Sequence, residues 1–239
     1  MKKQILAGIL AGVLLAGCSA SDNTADQNRT SSDTGNATVK EIQPSAQSGT
    51  VDTGSGKTLI AWFSRVGNSD FDQNVDAITG ASTNIENGTL RGNNSYLEEI
   101  TEKETGADEY FIQVDDPYPG NFNDTVQQFV QEEKDDTFHP LATSVKNMDQ
   151  YDMILLIYPT WDSTLPSPVR TFLKSYDFNG KKIYPINSND GYGTGDSVSR
   201  IEQYASGAQV MDAFSIDDDD MKDLDSQLTD YLKKQGLSK

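Results

Sequence analysis

The feature that most constrains the fold of this chain is a set of short apolar runs separated by segments with helical periodicity. The most apolar is MILLIY, from Met153 to Tyr158, and another is TLIAWF, from Thr58 to Phe63. A strand that is apolar on both faces must be covered on both, as strands in the middle of a parallel sheet are. The chain is therefore predicted to form an α/β fold around a buried parallel sheet.

Strand and helix patterns alternate through residues 57–239, which form the predicted folded domain. Residues 121–134, for example, carry Phe122, Val126, Phe129 and Val130 on one face of a helix. Five such β-α units in succession predict one doubly wound α/β sandwich. The strands are expected over 58–63, 110–114, 153–158, 182–186 and 208–213, and the helices over 96–105, 121–134, 167–175, 197–205 and from about 217.

The first residues of the chain have the pattern of a secretory signal that ends at a cysteine. Basic residues precede an apolar run from Ile5 to Ala16, which is too short to span a bilayer. The run ends in LAGC, which resembles the lipobox of bacterial lipoproteins, in which cleavage precedes a lipidated cysteine. We predict a signal peptide over residues 1–17, a lipid anchor at Cys18 and a location on the extracytoplasmic face of the cell membrane. An ordinary signal peptide and a small buried cysteine are the alternatives.

The segment between Cys18 and the folded domain has almost no apolar content. Such a composition cannot bury enough surface to offset the entropy of ordering, so residues 18–56 are predicted to be a lipidated cysteine and a flexible tether. The chain has 19 Lys and Arg against 37 Asp and Glu, a net charge of −18, and it would lose Lys2 and Lys3 with the signal. A chain this acidic is not expected to bind nucleic acid.

Ligands of doubly wound folds bind beyond the carboxyl ends of the strands, where the strand order reverses. The loops expected there are 64–95, 159–165 and 187–195, which are the richest in Gly, Trp, Tyr, Ser and Asn. A hydroxyl-rich loop at a helix N-terminus offers backbone N–H groups and the positive end of the helix dipole to a phosphate. The sequence therefore predicts a phosphate-bearing ligand at this edge of the sheet.

Several short motifs resemble the flavodoxin-like family, especially its bacterial lipoprotein members. The resemblance extends from Lys57 to about Leu232. It is carried by the order and spacing of LIAWFS at 59–64 with GNS at 67–69, TGAD at 105–108, DPYP at 116–119, YD at 151–152, YPTW at 158–161 and PVRTFL at 168–173. It implies a five-stranded parallel sheet in the order 2-1-3-4-5 and an FMN cofactor.

The resemblance also implies which residues contact FMN. The phosphate has two candidate cradles, which are expected to share the site with the larger part at 92–95: residues 67–69 match the family more literally, whereas 92–95 open directly into a helix. An ordinary N-cap and turn are the alternative for both stretches. Trp161 resembles the aromatic residue that stacks on the flavin ring, with a core tryptophan as the alternative. Asp162 departs from the family, which commonly has an aromatic residue there. The predicted cofactor-binding residues are Ser64, Arg65, Gly67, Asn68, Ser82, Gly92, Asn93, Asn94, Ser95, Pro159, Thr160, Trp161, Asp162, Asn187, Ser188, Asp190 and Gly191.

An insertion over about residues 70–91 contains the sequence DAITGAS, from Asp76 to Ser82. It resembles the Asp-x-x-(Ser/Thr)-Gly-Ala-(Ser/Thr) target of bacterial FMN transferases, whose last hydroxyl forms a phosphoester to FMN. The resemblance implies Ser82 as the acceptor, with Thr83 as the second choice, and an FMN transferase as a partner. Because the two preceding residues are small, the hydroxyl is expected to be accessible. An unmodified polar loop is the alternative.

Three functions are compatible with these patterns. The favoured one is a membrane-tethered FMN electron carrier, whose redox partner proteins the sequence does not identify. The second is an enzyme that reduces quinones or other small acceptors, and the third is a flavin-free binding module on the same fold.

The single histidine gives no indication of catalysis by itself. His139 has no clustered cysteine or carboxylate in the sequence that would form a metal site with it, and it is expected to be structural or exposed. No catalytic residue and no metal ligand is therefore assigned.

Overall fold

The structure is a computed structural model that describes residues 49–51, 53, 54, 56–71, 82–86 and 89–239. Its strands are β1 (Gly49–Val51), β2 (Thr58–Trp62), β3 (Ser69–Asp70), β4 (Thr83–Glu86), β5 (Thr89–Gly92), β6 (Asp108–Phe111), β7 (Tyr118–Pro119), β8 (Thr143–Val145), β9 (Met153–Pro159), β10 (Lys182–Asn189), β11 (Gln209–Val210) and β12 (Phe214–Asp217). Its α-helices are α1 (Asn93–Thr105), α2 (Phe122–Lys134), α3 (Ser167–Lys174), α4 (Ser197–Tyr204) and α5 (Leu224–Lys234).

The main sheet is parallel and has β9 at its centre. Its order is β6-β2-β9-β10-β11. Strand β12, which follows β11 in the chain, also pairs with β10. Counted along the chain, this is the order 2-1-3-4-5, with the fifth position shared by two short strands. The central β9 is buried from Ile154 to Pro159, as its apolar sequence predicts.

Side chains of the sheet alternate between two apolar layers, as the two-residue period of a strand requires. From β2, Leu59 and Ala61 point into one layer, whereas Ile60 and Trp62 point into the other. Helices α3 and α4 cover the first layer and helices α1 and α5 cover the second. The described residues thus form the three-layer α/β sandwich predicted from the sequence.

The structure corrects the predicted C-terminal elements. The strand predicted over 208–213 is two short strands, β11 and β12, which pair with different parts of β10. The last α-helix begins at Leu224 rather than near Asp217, because Asp218–Asp223 form a 3-10 helix. Asp217 caps that 3-10 helix by accepting a hydrogen bond from the Asp219 N–H (3.1 Å). The run of aspartates therefore serves as a cap and a tight turn before the α-helix.

Regular hydrogen-bonded structure also begins earlier than the predicted domain boundary. Strand β1 lies inside the segment predicted to be a tether, and it pairs in parallel with β8. Farther along, the Thr53 hydroxyl is 2.6 Å from the Tyr151 hydroxyl, and the Gly56 N–H donates to the Asp108 carboxylate (2.7 Å). These contacts extend the described fold N-terminally from residue 57 to residue 49.

The insertion enters and leaves the fold through defined elements. Strand β3 pairs with β7 at its start, and β4 and β5 form an antiparallel hairpin that leads directly into α1. Residues 72–81, which carry most of the DAITGAS motif, and the predicted signal, lipidated cysteine and most of the predicted tether lie outside the described residues. Among the helices that the structure describes, none combines the length and apolar character needed to cross a membrane.

Candidate functional site

A cavity of about 340 Å³ lies where β2, β9 and β10 end. Part of its lining was predicted as cofactor-binding: Arg65, Ser82, Thr160, Trp161, Asp162 and Asp190. The rest of the lining was not: Phe122, Thr125, Val126, Phe129, Val130 and Tyr192. The other predicted residues, all of which the structure describes, do not line this cavity. The position agrees with the rule that ligands of doubly wound sheets bind beyond the carboxyl ends of the strands.

Trp161 is held between the core and the cavity. Its indole meets the rings of Phe63, Tyr118 and Phe129 edge to face, at centroid distances of 5.5, 5.3 and 5.5 Å. Its Nε1–H donates to the hydroxyl of Ser82 at 2.9 Å. Trp161 is therefore part of the core packing and part of the cavity wall, and its stacking on the flavin ring stays a prediction.

The chain turns sharply after Trp161, and this explains the aspartate that departs from the family pattern. Trp161 and Thr164 exchange both backbone hydrogen bonds, and the two residues between them have positive φ, 45° at Asp162 and 64° at Ser163. A two-residue turn with both φ angles positive is of type I′, and aspartate tolerates the left-handed region better than a bulky aromatic residue does. The turn is braced from outside, because the Asp196 N–H donates to the Ser163 carbonyl (2.8 Å).

The loops after β9 and β10 are joined by side chains that the sequence predicted to contact the cofactor. The Asn187 amide donates to the Thr160 hydroxyl (2.6 Å) and to the Gly193 carbonyl (3.0 Å). Asn187 and Ser188 are fully buried within β10. Asn187 therefore fixes the two loops relative to each other from behind the cavity.

The start of α1 is similarly built from buried polar residues. The Ser188 hydroxyl donates to Asn94 (2.8 Å), and the Asn94 amide donates to the Phe63 carbonyl (2.8 Å), which ties α1 to the ends of β2 and β10. The Ser95 hydroxyl donates to the Gly92 carbonyl (2.8 Å) one turn earlier. The Asn93 amide donates to the Asp218 carboxylate (3.2 Å).

Gly92 brings the hairpin against the end of β2. A Cβ at this position would overlap the hydroxyl of Ser64. That hydroxyl is buried and, among the described residues, has no hydrogen-bond partner. A buried hydroxyl beside a helix N-terminus is available to an oxygen-rich ligand group such as a phosphate.

In the other predicted phosphate turn, the Asn68 side chain makes three hydrogen bonds within the fold. The Asn68 amide donates to the carbonyls of Ser64 (2.9 Å) and Ile112 (3.0 Å), and its carbonyl accepts from the Val114 N–H (2.8 Å). Gly67 supplies a positive φ of 93° for the turn. Asn68 therefore closes the end of β2 against the segment after β6.

Ser82 connects the start of α1 with Trp161. Its carbonyl accepts the Asn93 N–H at the start of α1 (3.1 Å), and its hydroxyl accepts the indole N–H of Trp161. Ser82 is only 5% exposed. The expectation that this hydroxyl is freely accessible is therefore wrong for the folded chain, because the β4–β5 hairpin presses Ser82 against Trp161.

Arg65 supplies the only positive charge among the residues that line the cavity. Its guanidinium is buried, donates to the Gly120 carbonyl (2.8 Å) and the Thr125 hydroxyl (3.2 Å), and lies over the ring of Phe71. These contacts hold the charge in place at the cavity wall, where it can attract an anionic group.

The cavity residues that the sequence analysis missed come mainly from α2. Their apolar periodicity predicts a helix with these residues on one face, but it did not indicate that this face lines the cavity. In the structure only Phe129 of that face is buried, whereas Phe122, Val126 and Val130 are exposed along the cavity. Tyr192 lies in a loop that was predicted to bind the ligand, but its aromatic side chain was not singled out.

Behind the aromatic wall lies a buried ion pair. His139 is stacked on Tyr118 (centroids 4.6 Å apart) and contacts the Glu132 carboxylate through Nδ1 (2.9 Å) and the Asp116 carbonyl through Nε2 (2.7 Å). The Tyr118 hydroxyl donates to the other oxygen of Glu132 (2.8 Å). His139 is thus buried and structural. This is one of the two possibilities predicted from the sequence, the other being an exposed residue.

The charges of this pair stabilise each other against burial. Burial acts to lower the pKa of His139, but Glu132 and the Asp116 carbonyl outweigh it and raise the pKa. Burial acts to raise the pKa of Glu132, but the hydrogen bonds from His139, Gln128 and Tyr118 lower it overall. Within the described part of the chain, no group of three or more His, Cys, Asp or Glu side chains is arranged to hold a metal ion.

These features fit a flavin mononucleotide. Aromatic side chains wall the cavity, Arg65 offers a positive charge, and the buried Ser64 hydroxyl lies beside the start of α1. The fold and the site therefore define a doubly wound α/β protein with a ring-and-phosphate site at the carboxyl edge of its sheet.

Comparison with known proteins agrees with this class. Residues 91–232, more than half of the chain, match the flavodoxin family. The chain therefore belongs to the flavodoxin family, and FMN is its cofactor, as the sequence predicted. No curated protein matches the chain in sequence.

Solved structures of the same fold include two proteins assigned as flavoproteins. One, from Bacteroides eggerthii, is 17% identical with a TM-score of 0.54 over 76% of this chain and 99% of that chain. The other, from Bacteroides uniformis, is 18% identical with a TM-score of 0.54 over 72% of this chain and 97% of that chain. A Lactobacillus acidophilus flavoprotein crystallised with FMN is 17% identical with a TM-score of 0.48, over 70% and 97%.

Proposed function

We propose that this protein is an electron carrier anchored by Cys18 on the extracytoplasmic face of the membrane, with FMN linked covalently to Ser82. When bound, FMN supplies the redox chemistry, and the protein supplies orientation and electrostatics. The observation that supports the proposal most directly is the position of Ser82. Its carbonyl accepts from the first turn of α1 and its hydroxyl lies against Trp161, so one residue borders both ends of the site.

The chain's own residues divide the binding task between them. Trp161 and Tyr192 offer aromatic surface for the ring. Arg65, the Ser64 hydroxyl and the N-terminal turn of α1 offer positive charge and donors for the phosphate. Asn187 holds the loops after β9 and β10 at a fixed separation through Thr160 and Gly193, so the ring site is organised before the ligand binds.

A covalent bond suits the proposed location. Outside the cytoplasm, a cofactor that dissociates is lost, whereas a tethered one rebinds at high effective concentration. Because Ser82 lines the cavity, an FMN linked to its hydroxyl would already lie inside the site. The FMN transferase would move FMN from a flavin dinucleotide to the Ser82 hydroxyl: the new phosphoester replaces the donor's pyrophosphate bond, and the donor's nucleotide part and the hydroxyl proton leave. The burial of Ser82 implies that this step occurs before the β4–β5 hairpin packs against Trp161 or while the hairpin is displaced.

The test is mass spectrometry of the full chain produced together with an FMN transferase. We expect the tryptic peptide that contains Ser82 to gain the mass of FMN less one water, and the flavin to stay attached on denaturation. Ser82→Ala should remove this gain and Ser82→Thr should retain it, because both serine and threonine occur at this position of the motif.

A matched control uses the neighbouring hydroxyl, which is buried in β4. Thr83→Ser should leave the gain on the Ser82 peptide unchanged. An unmodified Ser82 peptide, together with flavin that washes out on denaturation, would show that FMN is bound without a covalent bond.

A further inference from the structure

One tyrosine of the core has both a carboxylate and a tryptophan as direct neighbours. Tyr118 is fully buried, and its hydroxyl donates to Oε2 of Glu132 at 2.8 Å. Its ring meets that of Trp161 edge to face, at a centroid distance of 5.3 Å. Tyr118 and Glu132 do not line the cavity, whereas Trp161 does. Tyr118 thus contacts an aromatic ring of the cavity wall through its own ring and a base through its hydroxyl.

The protons of this pair are well defined before any reaction. Oε1 of Glu132 lies 2.9 Å from His139 Nδ1 and accepts from the Gln128 amide at 3.1 Å. Burial acts to raise the pKa of Glu132, but its hydrogen bonds lower it overall, so the group is a carboxylate at neutral pH. Burial and the charge of Glu132 outweigh the charge of Arg170 and raise the pKa of the Tyr118 hydroxyl. The phenol therefore keeps its proton as long as its ring keeps its electrons.

The loss of one electron reverses this preference. A phenol that has lost an electron is a strong acid, so it transfers its proton to a base that is already hydrogen-bonded to it. In a buried site the alternative is an uncompensated cationic ring beside a buried carboxylate, which is costly because the surroundings solvate charge poorly. Proton transfer from Tyr118 to Glu132 removes both charges. The hydrogen bond between them therefore makes Tyr118 easier to oxidise than a buried tyrosine with a neutral acceptor.

Two other buried tyrosines show what distinguishes Tyr118. The Tyr110 hydroxyl donates to the Thr143 carbonyl at 2.8 Å, and a carbonyl is not a base at neutral pH. The Tyr151 hydroxyl donates to the Asp108 carboxylate at 2.9 Å. However, Tyr151 precedes β9, at the amino edge of the sheet, whereas Trp161 follows β9 at the carboxyl edge. A carboxylate and a cavity-wall tryptophan come together at Tyr118.

We propose that Tyr118 is a redox-active tyrosine, which gives one electron to an oxidised Trp161 and its phenolic proton to Glu132. The reaction begins when a one-electron oxidant in the cavity takes an electron from the indole and leaves it a radical cation. The indole N–H donates to the Ser82 hydroxyl, which is not a base, so the indole keeps its proton. Trp161 therefore stays cationic until an electron reaches it.

The transfer balances in electrons, protons and charge. One electron passes from Tyr118 to Trp161, the phenolic O–H bond breaks, and a new O–H bond forms on Glu132. The products are a neutral indole, a neutral phenoxyl radical and a neutral carboxylic acid, so the opposite charges on Trp161 and Glu132 disappear together. Tyr118 thereby takes an oxidising equivalent away from the cavity wall. This activity goes beyond the proposed function, because it requires neither the lipid anchor nor the bond to FMN.

The experiment is pulse radiolysis of the flavin-free full chain in a Trp62→Phe background, which leaves Trp161 as the one tryptophan. Azide radicals are small one-electron oxidants that react preferentially with tryptophan, and Trp161 is partly exposed at the cavity. We expect the visible absorption of the indolyl radical to decay while that of a phenoxyl radical grows at the same rate. In heavy water this conversion should be slower, because a proton moves with the electron.

Variants assign the donor and the base. Tyr118→Phe should abolish the coupled growth of the phenoxyl signal and prolong the life of the indolyl radical about tenfold or more, which corresponds to about 1.4 kcal/mol in the barrier. Glu132→Gln keeps a hydrogen-bond acceptor but removes the base, and it should slow the conversion by a similar factor. The matched control is Tyr151→Phe, which removes a buried hydroxyl that also donates to a carboxylate and should leave the conversion unchanged.

Each result decides one part of the proposal. Conversion that persists in Tyr118→Phe, or that is lost in Tyr151→Phe, would show that another tyrosine is the donor. Equal rates in light and heavy water, together with an unchanged rate in Glu132→Gln, would refute the role of Glu132. Melting curves confirm that each variant is folded, and the heavy-water comparison needs no substitution in the pair. Because flavin is absent throughout, the outcome does not depend on the proposed function.

Discussion

At the scale of single residues, Trp161 and Ser82 determine how the two ends of the site meet. The indole is fixed by three edge-to-face contacts and one hydrogen bond to Ser82. Aromatic contacts of this kind contribute about 0.5–1.5 kcal/mol each beyond area burial. The hydrogen bond contributes about 1 kcal/mol more. The Trp161 ring is thus held in place by Phe63 and Tyr118 of the core and by Phe129 and Ser82 of the cavity wall, which leaves its remaining surface to the ligand.

Asp162 gives a test of electrostatics at this scale. A carboxylate near the ring disfavours the uptake of negative charge by FMN, so we predict that Asp162→Asn raises the reduction potential. At a separation of about 8 Å, an exposed charge contributes about 0.5–2 kcal/mol, or about 20–90 mV for a one-electron couple. Because Asp162 is exposed, the lower part of this range applies and salt should reduce the effect.

The measurement is a spectroelectrochemical titration of the FMN-loaded chain at low and high salt. Asp230→Asn, which removes an exposed carboxylate from α5, is the control and should leave the potential within error of the wild type. A potential that Asp162→Asn does not change would mean that this carboxylate is fully screened.

At the scale of elements, α2 links the cavity to the buried ion pair. Phe129 on its inner face contacts Trp161, and Glu132, one turn later, contacts His139 and Tyr118. Tyr118 in turn contacts Trp161 at its edge. The ion pair therefore stabilises the two elements that carry the aromatic wall, α2 and the segment of Tyr118.

This arrangement predicts a pH dependence of stability. The pKa of His139 is raised above its usual 6.5, so its contribution is complete below that value and is lost as the pH rises through the pKa of the folded state. The pKa of Glu132 is lowered from 4.5, so its contribution is present above that value and is lost as the pH falls through the folded-state pKa. The pair contributes most between about pH 4.5 and 6.5.

We expect His139→Gln to lower the melting temperature most near pH 6, and the difference from wild type to shrink at alkaline pH. Glutamine can still donate a hydrogen bond, but it carries no charge. Other charges adjoin the pair: Asp116 acts on His139, and Arg170 acts on Tyr118. The fluorescence emission of Trp161, measured in a Trp62→Phe background, reports on the aromatic wall and should shift over the same pH range. Melting curves of wild type and His139→Gln that stay parallel at all pH values would exclude a contribution from the charge.

At the scale of the whole molecule, the chain combines an acidic FMN domain with a predicted lipid anchor. The net charge of −18 favours solubility and disfavours anionic surfaces. An anchor would confine the carrier to the membrane, and a covalent cofactor would prevent its loss there. In this proposal, the cysteine of the N-terminal LAGC junction retains the protein at the membrane, and the DAITGAS motif retains the cofactor on the protein.

Cys18 provides the test of that arrangement. Cys18→Ser should leave a precursor that incorporates no labelled fatty acid and is not processed, because the thiol is the proposed attachment point and two or more acyl chains are needed for stable anchoring. Labelled palmitate followed by membrane fractionation measures this. The FMN content should be unaffected if the transferase reaches the variant, and normal labelling of Cys18→Ser would refute the lipoprotein hypothesis.

Local sequence determined the layers and the position of the site. Apolar runs such as MILLIY require burial on both faces, and this requirement alone indicates a covered parallel sheet. The loops at its carboxyl edge follow from that arrangement, so Arg65, Thr160, Trp161, Asp162 and Asp190 could be expected at the ligand cavity. The motif at Ser82 drew attention to a residue of the cavity wall, although the burial of Ser82 was not foreseen.

Only the tertiary structure decided which surfaces meet. The apolar period of α2 indicates a stripe but not whether that stripe faces the core or a cavity, and the structure exposes Phe122, Val126 and Val130. Asn187, expected to contact FMN, is turned inward to join two loops, and His139 finds its carboxylate seven residues away along the chain. Periodicity reports how much of an element is covered, whereas the partner that covers it depends on contacts between distant segments, and local sequence does not encode these.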